Sequence, residues 1–284
     1  MVFFIRKIMA GCLVLACTVA YAGEQPVLSP GQQPTPVTGT ARIDLLLNGA
    51  ISGGLIAGGV VLIGNRQGTL FERTYGKAST EPDARPMAID TIFDIASLTK
   101  VIATTPSILK LAEERRLSLV DPVTKWFPEF AGKGKDDLLV MNLLTHTSGL
   151  DDFSLSTAAP LQSAISGAAS QKTKGEIGSR FKYADINFIL LGELVRRVSG
   201  VPLDSYAAAH FFAPLEMKDT AFRPDSGKTE RCSATIGSEK SFFVGLPQDY
   251  EARQLGGVAG HIRTRYLLFQ LRGRGTTGVR LPPQ

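Results

Sequence analysis

The sequence predicts an α+β fold, with a β-hairpin near its start and a long, mostly helical middle. Two short β-rich runs, "GGVVLIG" and "GTLFERTYG", flank the turn "NRQG", which is a hairpin pattern. From Ser97 onward, Leu98, Val101, Ile102, Thr105, Ile108, Leu109 and Ala112 recur at three- and four-residue steps, the period of a helix. Further on, "INFILLGELVRRVSG" places Ile186, Ile189, Leu190, Leu194 and Val198 on one helical face, with Gly200 as the stop.

The chain has 284 residues, of which 44% are hydrophobic and 20% charged, a globular composition. Residues 1–22 read as a secretory leader. Arg6 and Lys7 precede an apolar run from Ile8 to Ala20, and Ala20-Tyr21-Ala22 is a small-x-small cleavage pattern. That run is shorter than the ~20 residues of a membrane-spanning helix. The chain is therefore expected to be exported, periplasmic or secreted, with no stable membrane span. A lipoprotein form through Cys17 is the less favoured variant. Residues 23–40, rich in Pro, Gly and Gln, read as a flexible linker. A helix is expected over Ala41–Asn48, then the hairpin. The helix that follows Ser97 contains Pro106, which should kink it or leave a carbonyl free. "LSLVDPVTKWFPEF" reads as a loop with short turns, "MNLLTHTSGL" as a short helix ending near Gly149, and "LDSYAAAHFFAPL" as another helix.

Charge and cysteine content narrow the function classes. The chain carries 31 basic and 26 acidic residues. Without Arg6 and Lys7 of the leader and the five arginines of 262–284, residues 23–261 hold 24 basic against 26 acidic groups. The body has no basic stripe with interleaved aromatics, so nucleic acid is not an expected partner. Of the three cysteines, Cys12 and Cys17 lie in the leader and only Cys232 in the body, which leaves no internal disulfide. His146, His210 and His261 show no metal spacing, and no metal or organic cofactor is expected. His146, in "THTSG", is read as structural. "SGKTE" lacks the upstream glycine of a phosphate-binding loop, and no G-x-S-x-G elbow occurs.

The candidate chemistry is Ser97-x-x-Lys100, within "ASLTK". A serine hydroxyl needs an adjacent base to act as a nucleophile. Residues i and i+3 share a helix face. At a helix start, the Ser97 backbone N–H would point to where an oxyanion forms, and the positive helix end plus burial would depress the Lys100 pKa. The spacing alone does not decide, because Ser107/Lys110 and Ser179/Lys182 have it too.

The neighbouring segments decide. "DTIFDIASLTKV", "LSLVDPV", "LLTHTSGL", "FKYADINFILLGELV" and "LGGVAGH" occur in that order. Together they resemble the serine β-lactamase-related family, in its branch of class C-like β-lactamases, D-alanyl-D-alanine peptidases and esterases, over roughly residues 41–261. The resemblance implies a β-lactamase/transpeptidase-like α+β fold, an antiparallel sheet flanked by helices plus a helical subdomain. It implies an acyl-enzyme on Ser97, with Lys100 as proton acceptor and Tyr183 sharing proton transfer to the leaving group. The substrate would be a small molecule or a peptidoglycan peptide: a β-lactam, a D-Ala-D-Ala peptide or a small ester.

Two departures from the family pattern stand out. Asp185 occupies the substrate-binding place of an asparagine, which can donate a hydrogen bond to a substrate carbonyl, whereas an ionised aspartate can only accept. Beside Lys100 it would also favour the charged lysine. The family's third motif, Lys or His followed by a residue and Gly, has no counterpart after Tyr183; the nearest string is "TTG" at 276–278. Residues 262–284 are arginine-rich and contain neither lysine nor acid. They are read as an out-of-frame or truncated continuation in which the C-terminal sheet strands are missing, the alternative being a natural short variant. On that reading the chain is a weak enzyme, or an inactive remnant that at most binds penicillin or peptidoglycan. Sequencing the gene across the Gly260 codon separates these readings.

Overall fold

A computed structural model describes residues 39–255 apart from 66–67, 82 and 237–241, together with short strand segments at 263–264, 269–270 and 278–279. The leader, Cys17, almost all of the linker, Gly260, His261 and "TTG" as a whole lie outside the described residues. The chain divides into two compact units, one built mainly from residues up to Phe93 with 228–234, the other from 94–227 and 235–264.

In the first unit, helix α1 (Thr40–Ser52) precedes the antiparallel pair β1 (Gly58–Asn65) and β2 (Gly68–Gly76). The register runs from Gly58 opposite Gly76 to Asn65 opposite Gly68, with a bulge between Ile63 and Gly64. The hairpin is thus present, and α1 is longer than expected at both ends. Glycine is required where the hairpin opens. Gly76 has φ 65°, and a Cβ on Gly58 would run into the Tyr75 and Lys77 backbone. Asp44 on α1 accepts from Arg73 Nη1 and the Tyr75 hydroxyl of β2, each at 2.6 Å. A helix with no buried residue is therefore pinned through one carboxylate.

The second unit is helical around one axis, α5, in the order α2 (Thr105–Glu113), α3 (Val140–Leu144), α4 (Pro160–Ser170), α5 (Asp185–Ser199) and α6 (Leu203–Ala207). Every residue of α5 from Ile186 to Val195 is buried, because α2, α3, α4 and α6 pack around it. Phe127, Phe130, Leu143, Leu190 and Leu203, all at 0% exposure, are central to this core. Glu193 sits among these apolar residues and is tolerated because Arg196 and Arg197 both bind it, Arg197 also reaching Glu129. Gly200 ends α5 in the left-handed conformation at φ 83°, the stop expected for that helix.

Three local expectations are refined. The turn after Ser97 becomes helical at Leu98, passes through a π turn over Lys100–Thr104, and only then enters α2, with Pro106 in its first turn. Pro106 has no N–H for the Ile102 carbonyl, and the Thr105 N–H bonds back to the Lys100 carbonyl instead, so the irregularity is a π turn. The helix expected to reach Gly149 stops at Leu144, since His146 (φ 55°) and Gly149 (φ 75°) take left-handed conformations. "LDSYAAAHFFAPL" is α6 continued by a π turn at Ala208–Phe212. Among the described residues no sheet exceeds two strands, and no helix is long and apolar enough to cross a membrane.

Candidate active site

Ser97 is set by the residues before it. Asp94 Oδ1 accepts the Ala96 N–H at 2.9 Å, and Oδ2 accepts the Gln248 N–H at 3.0 Å. Ala96 takes φ 46°, a left-handed value that costs a non-glycine residue energy. The chain then closes tight turns, Thr99 N–H to the Ala96 carbonyl and Lys100 N–H to the Ser97 carbonyl, both 3.0 Å. This places Ser97 at the head of the helical run, with Lys100 one turn further along.

The Ser97 hydroxyl receives two hydrogen bonds, from Lys100 Nζ at 3.1 Å and from the Tyr183 hydroxyl at 2.7 Å. Tyr183 is 86 residues away in sequence and lies just before α5. Lys100 also forms an ion pair with Asp185 Oδ1 at 2.6 Å, and its ammonium lies over the rings of Tyr183 (5.2 Å) and Phe188 (5.7 Å). The structure thus gathers Ser97, Lys100, Tyr183 and Asp185 into one cluster. The other two Ser-x-x-Lys pairs do not form such clusters. Ser107 is fully buried and donates to the Ala103 carbonyl, while Lys110 binds Glu113 and Glu114. Ser179 donates to the Glu176 carbonyl, and Lys182 binds Asp151.

The expected depression of the Lys100 pKa is corrected. Burial acts to lower it, but Asp185 and Tyr183 together outweigh burial and hold Lys100 above the ordinary lysine value. The lysine side chain is 14% exposed and that of Asp185 50%, so the pair is buried on the amine side and partly screened by water on the carboxylate side.

His146 has a place that the sequence did not reveal. Its ring stacks on Tyr183 at 4.5 Å and 29°, and packs on Phe188 at 5.1 Å. Its Nδ1 accepts the Ala184 N–H at 3.2 Å, which puts the ring proton of the neutral form on Nε2. Burial first, then the Lys100 charge, lowers its pKa and favours that neutral form. Asn187, fully buried, bridges the same segments through the Ser148 hydroxyl and the Ala184 carbonyl. Asp152 Oδ1 accepts the Ile186 N–H at the start of α5. These residues set the loop carrying Tyr183 against the head of α5. The only hint in the sequence was the polar string "THTSG".

Beside the cluster lies a cavity of about 320 Å³, whose walls include Lys100, Asp152, Phe153, Asp185, Phe188 and Glu251. Among the described residues its ionisable lining is one lysine against Asp152, Asp185, Asp249 and Glu251. Among the described residues no group of His, Cys, Asp and Glu is arranged to hold a metal ion.

Comparison with known proteins agrees with this architecture. Residues 47–265 match the beta-lactamase family model. A protein of Escherichia coli strain K12, named provisionally as a D-alanyl-D-alanine carboxypeptidase, is 27% identical over 88% of this chain and 66% of its own length. Esterase EstB of Burkholderia gladioli is 32% identical over 64% of this chain and 51% of its own length. The crystal structure of a class C beta-lactamase in complex with cefoxitin superposes with a TM-score of 0.68 at 23% identity, over 79% of this chain and 61% of that one. The chain therefore spans about half to two thirds of the length of the relatives it matches, and it belongs to the beta-lactamase family.

Proposed function

We propose that this chain is an exported serine hydrolase that cleaves an amide or ester through an acyl-enzyme on Ser97. The observation that carries the reading is the pair of hydrogen bonds converging on the Ser97 hydroxyl from Lys100 and Tyr183. Ser97 Oγ bonds to the substrate carbonyl carbon. Its proton passes into the Lys100–Tyr183 pair and on to the leaving nitrogen or oxygen as that bond breaks. The Ser97 N–H, at the head of the helical run, faces the developing oxyanion. Water then releases the acyl group with the same pair as base. Relatives named as a carboxypeptidase and an esterase support the class, and the substrate we assign is a β-lactam, a D-Ala-D-Ala peptide or a small ester. The leader read at 1–22 supports a periplasmic or secreted site of action.

Turnover of p-nitrophenyl esters and nitrocefin by the chain, with Ser97→Ala beside it, tests this. Hydrolysis that falls to the uncatalysed rate in Ser97→Ala is expected. Turnover that persists in that variant overturns the reading. Covalent labelling by a fluorescent penicillin without turnover favours the other outcome, a protein that binds and does not release.

A further inference from the structure

Both neighbours of the Ser97 hydroxyl stand as donors toward it: Lys100 Nζ at 3.1 Å and the Tyr183 hydroxyl at 2.7 Å. While both of them donate to it, neither can accept the proton of that hydroxyl. For Ser97 to attack, one of those neighbours must first lose a proton. The groups facing Lys100 decide how hard that is. From the head of α5 comes Asp185, 2.6 Å away, with Phe188 offering only its ring face. From the preceding loop come Tyr183 and, behind it, neutral His146. Asp152 lines the same cavity, and so do Asp249 and Glu251 at the helix Tyr250–Gln254, here named α8 after the short turn of helix α7 (Ser226–Thr229). Among the described residues no other cation lines that cavity. The carboxylates named here favour the ammonium, and Asp185 touches it.

We propose that Asp185 is a positioning residue that holds the Ser97–Lys100–Tyr183 cluster one proton above its reactive form at neutral pH, giving the nucleophile an alkaline pH dependence. The inference rests on the Ser97 reading above. The raised Lys100 pKa has the same direction, with the pull of Asp185 and Tyr183 exceeding the effect of burial. Replacing the carboxylate by an amide keeps the size of the side chain and removes the charge. It also supplies an N–H donor, which could reach Lys100 Nζ only once that amine is neutral.

The test is the rate of single-hit phosphonylation of Ser97 by a fluorophosphonate, followed by intact mass across pH 6–10, in the full chain and in Asp185→Asn and Asp185→Glu. In this step Oγ bonds to phosphorus, fluoride leaves, and the serine proton goes to the Lys100–Tyr183 pair. For the unsubstituted chain the rate is expected to rise through the alkaline range. For Asp185→Asn the rising limb is expected to move to lower pH by about one unit, making labelling near pH 7 about tenfold faster. Asp185→Glu, which keeps the charge, is expected to stay within about threefold of the unsubstituted chain. An unmoved limb in Asp185→Asn overturns the proposal while leaving Ser97 as the nucleophile. A limb that moves equally in both variants also overturns it, because loss of packing, not of charge, would be the cause. Absence of phosphonylation on Ser97 at every pH overturns the Ser97 reading itself.

Discussion

At Ser97 a hydroxyl, an amine and a phenol meet within 3.1 Å, and each reaches that point by a different local device. The left-handed Ala96 turns the chain into the helix, one helical turn brings Lys100 back to Ser97, and His146 backs the Tyr183 ring. Asp151 shows how charge steadies the neighbouring loop. Hydrogen bonds from Lys174 and then Lys182 hold its carboxyl down at about 2. An unfolded aspartate titrates near ~3.9. Because the folded value is depressed, the stabilisation is complete above about pH 4 and is lost as the pH falls toward 2. Thermal melts should therefore lose stability over that window, and Asp151→Asn should lose less there. Parallel curves for the two proteins would contradict this. At this scale the sequence offered three Ser-x-x-Lys pairs by local spacing, and the family-like segments around Ser97 and Lys100 singled that pair out. It could not show the neutral His146 stacked on Tyr183, a contact made by residues 37 positions apart.

At the scale of elements, the hairpin and α5 were legible because each carries its own period and its own stop. The π turn was not, because it depends on where Pro106 falls against a packed helix, a property of geometry more than of composition. The helix through "THTSG" was overextended for a similar reason: two left-handed residues, one of them histidine, end it early. α4 supports the cavity from beneath. A Cβ added at Gly167 would run into the ring of Phe153, a residue of the cavity wall. Gly167→Ala should therefore push that ring and raise KM severalfold, while kcat and the melting temperature change little. Unchanged KM with a large loss of stability would mean that the ring is fixed and α4 yields instead.

At the scale of the molecule, family membership rests on residues 47–265, and the fold rests on a structural likeness at 23% identity. Among the described residues the one cysteine, Cys232, is buried and forms no disulfide. The fold is held by its cores, so a reducing agent should leave the melting temperature of a chain lacking residues 1–22 unchanged, and a clear downward shift would contradict that. Asp185 stands where the resemblance led to the expectation of an asparagine, and there the structure supplies a physical consequence, an ion pair with Lys100.

The central claim, that Ser97 carries the acyl group, is tested most directly by peptide mapping of the chain after reaction with a fluorescent penicillin or a fluorophosphonate. The account predicts a single adduct on the peptide containing Ser97, lost in Ser97→Ala and absent from Ser107 and Ser179. An adduct on another residue, or none on Ser97 with either reagent, would contradict it.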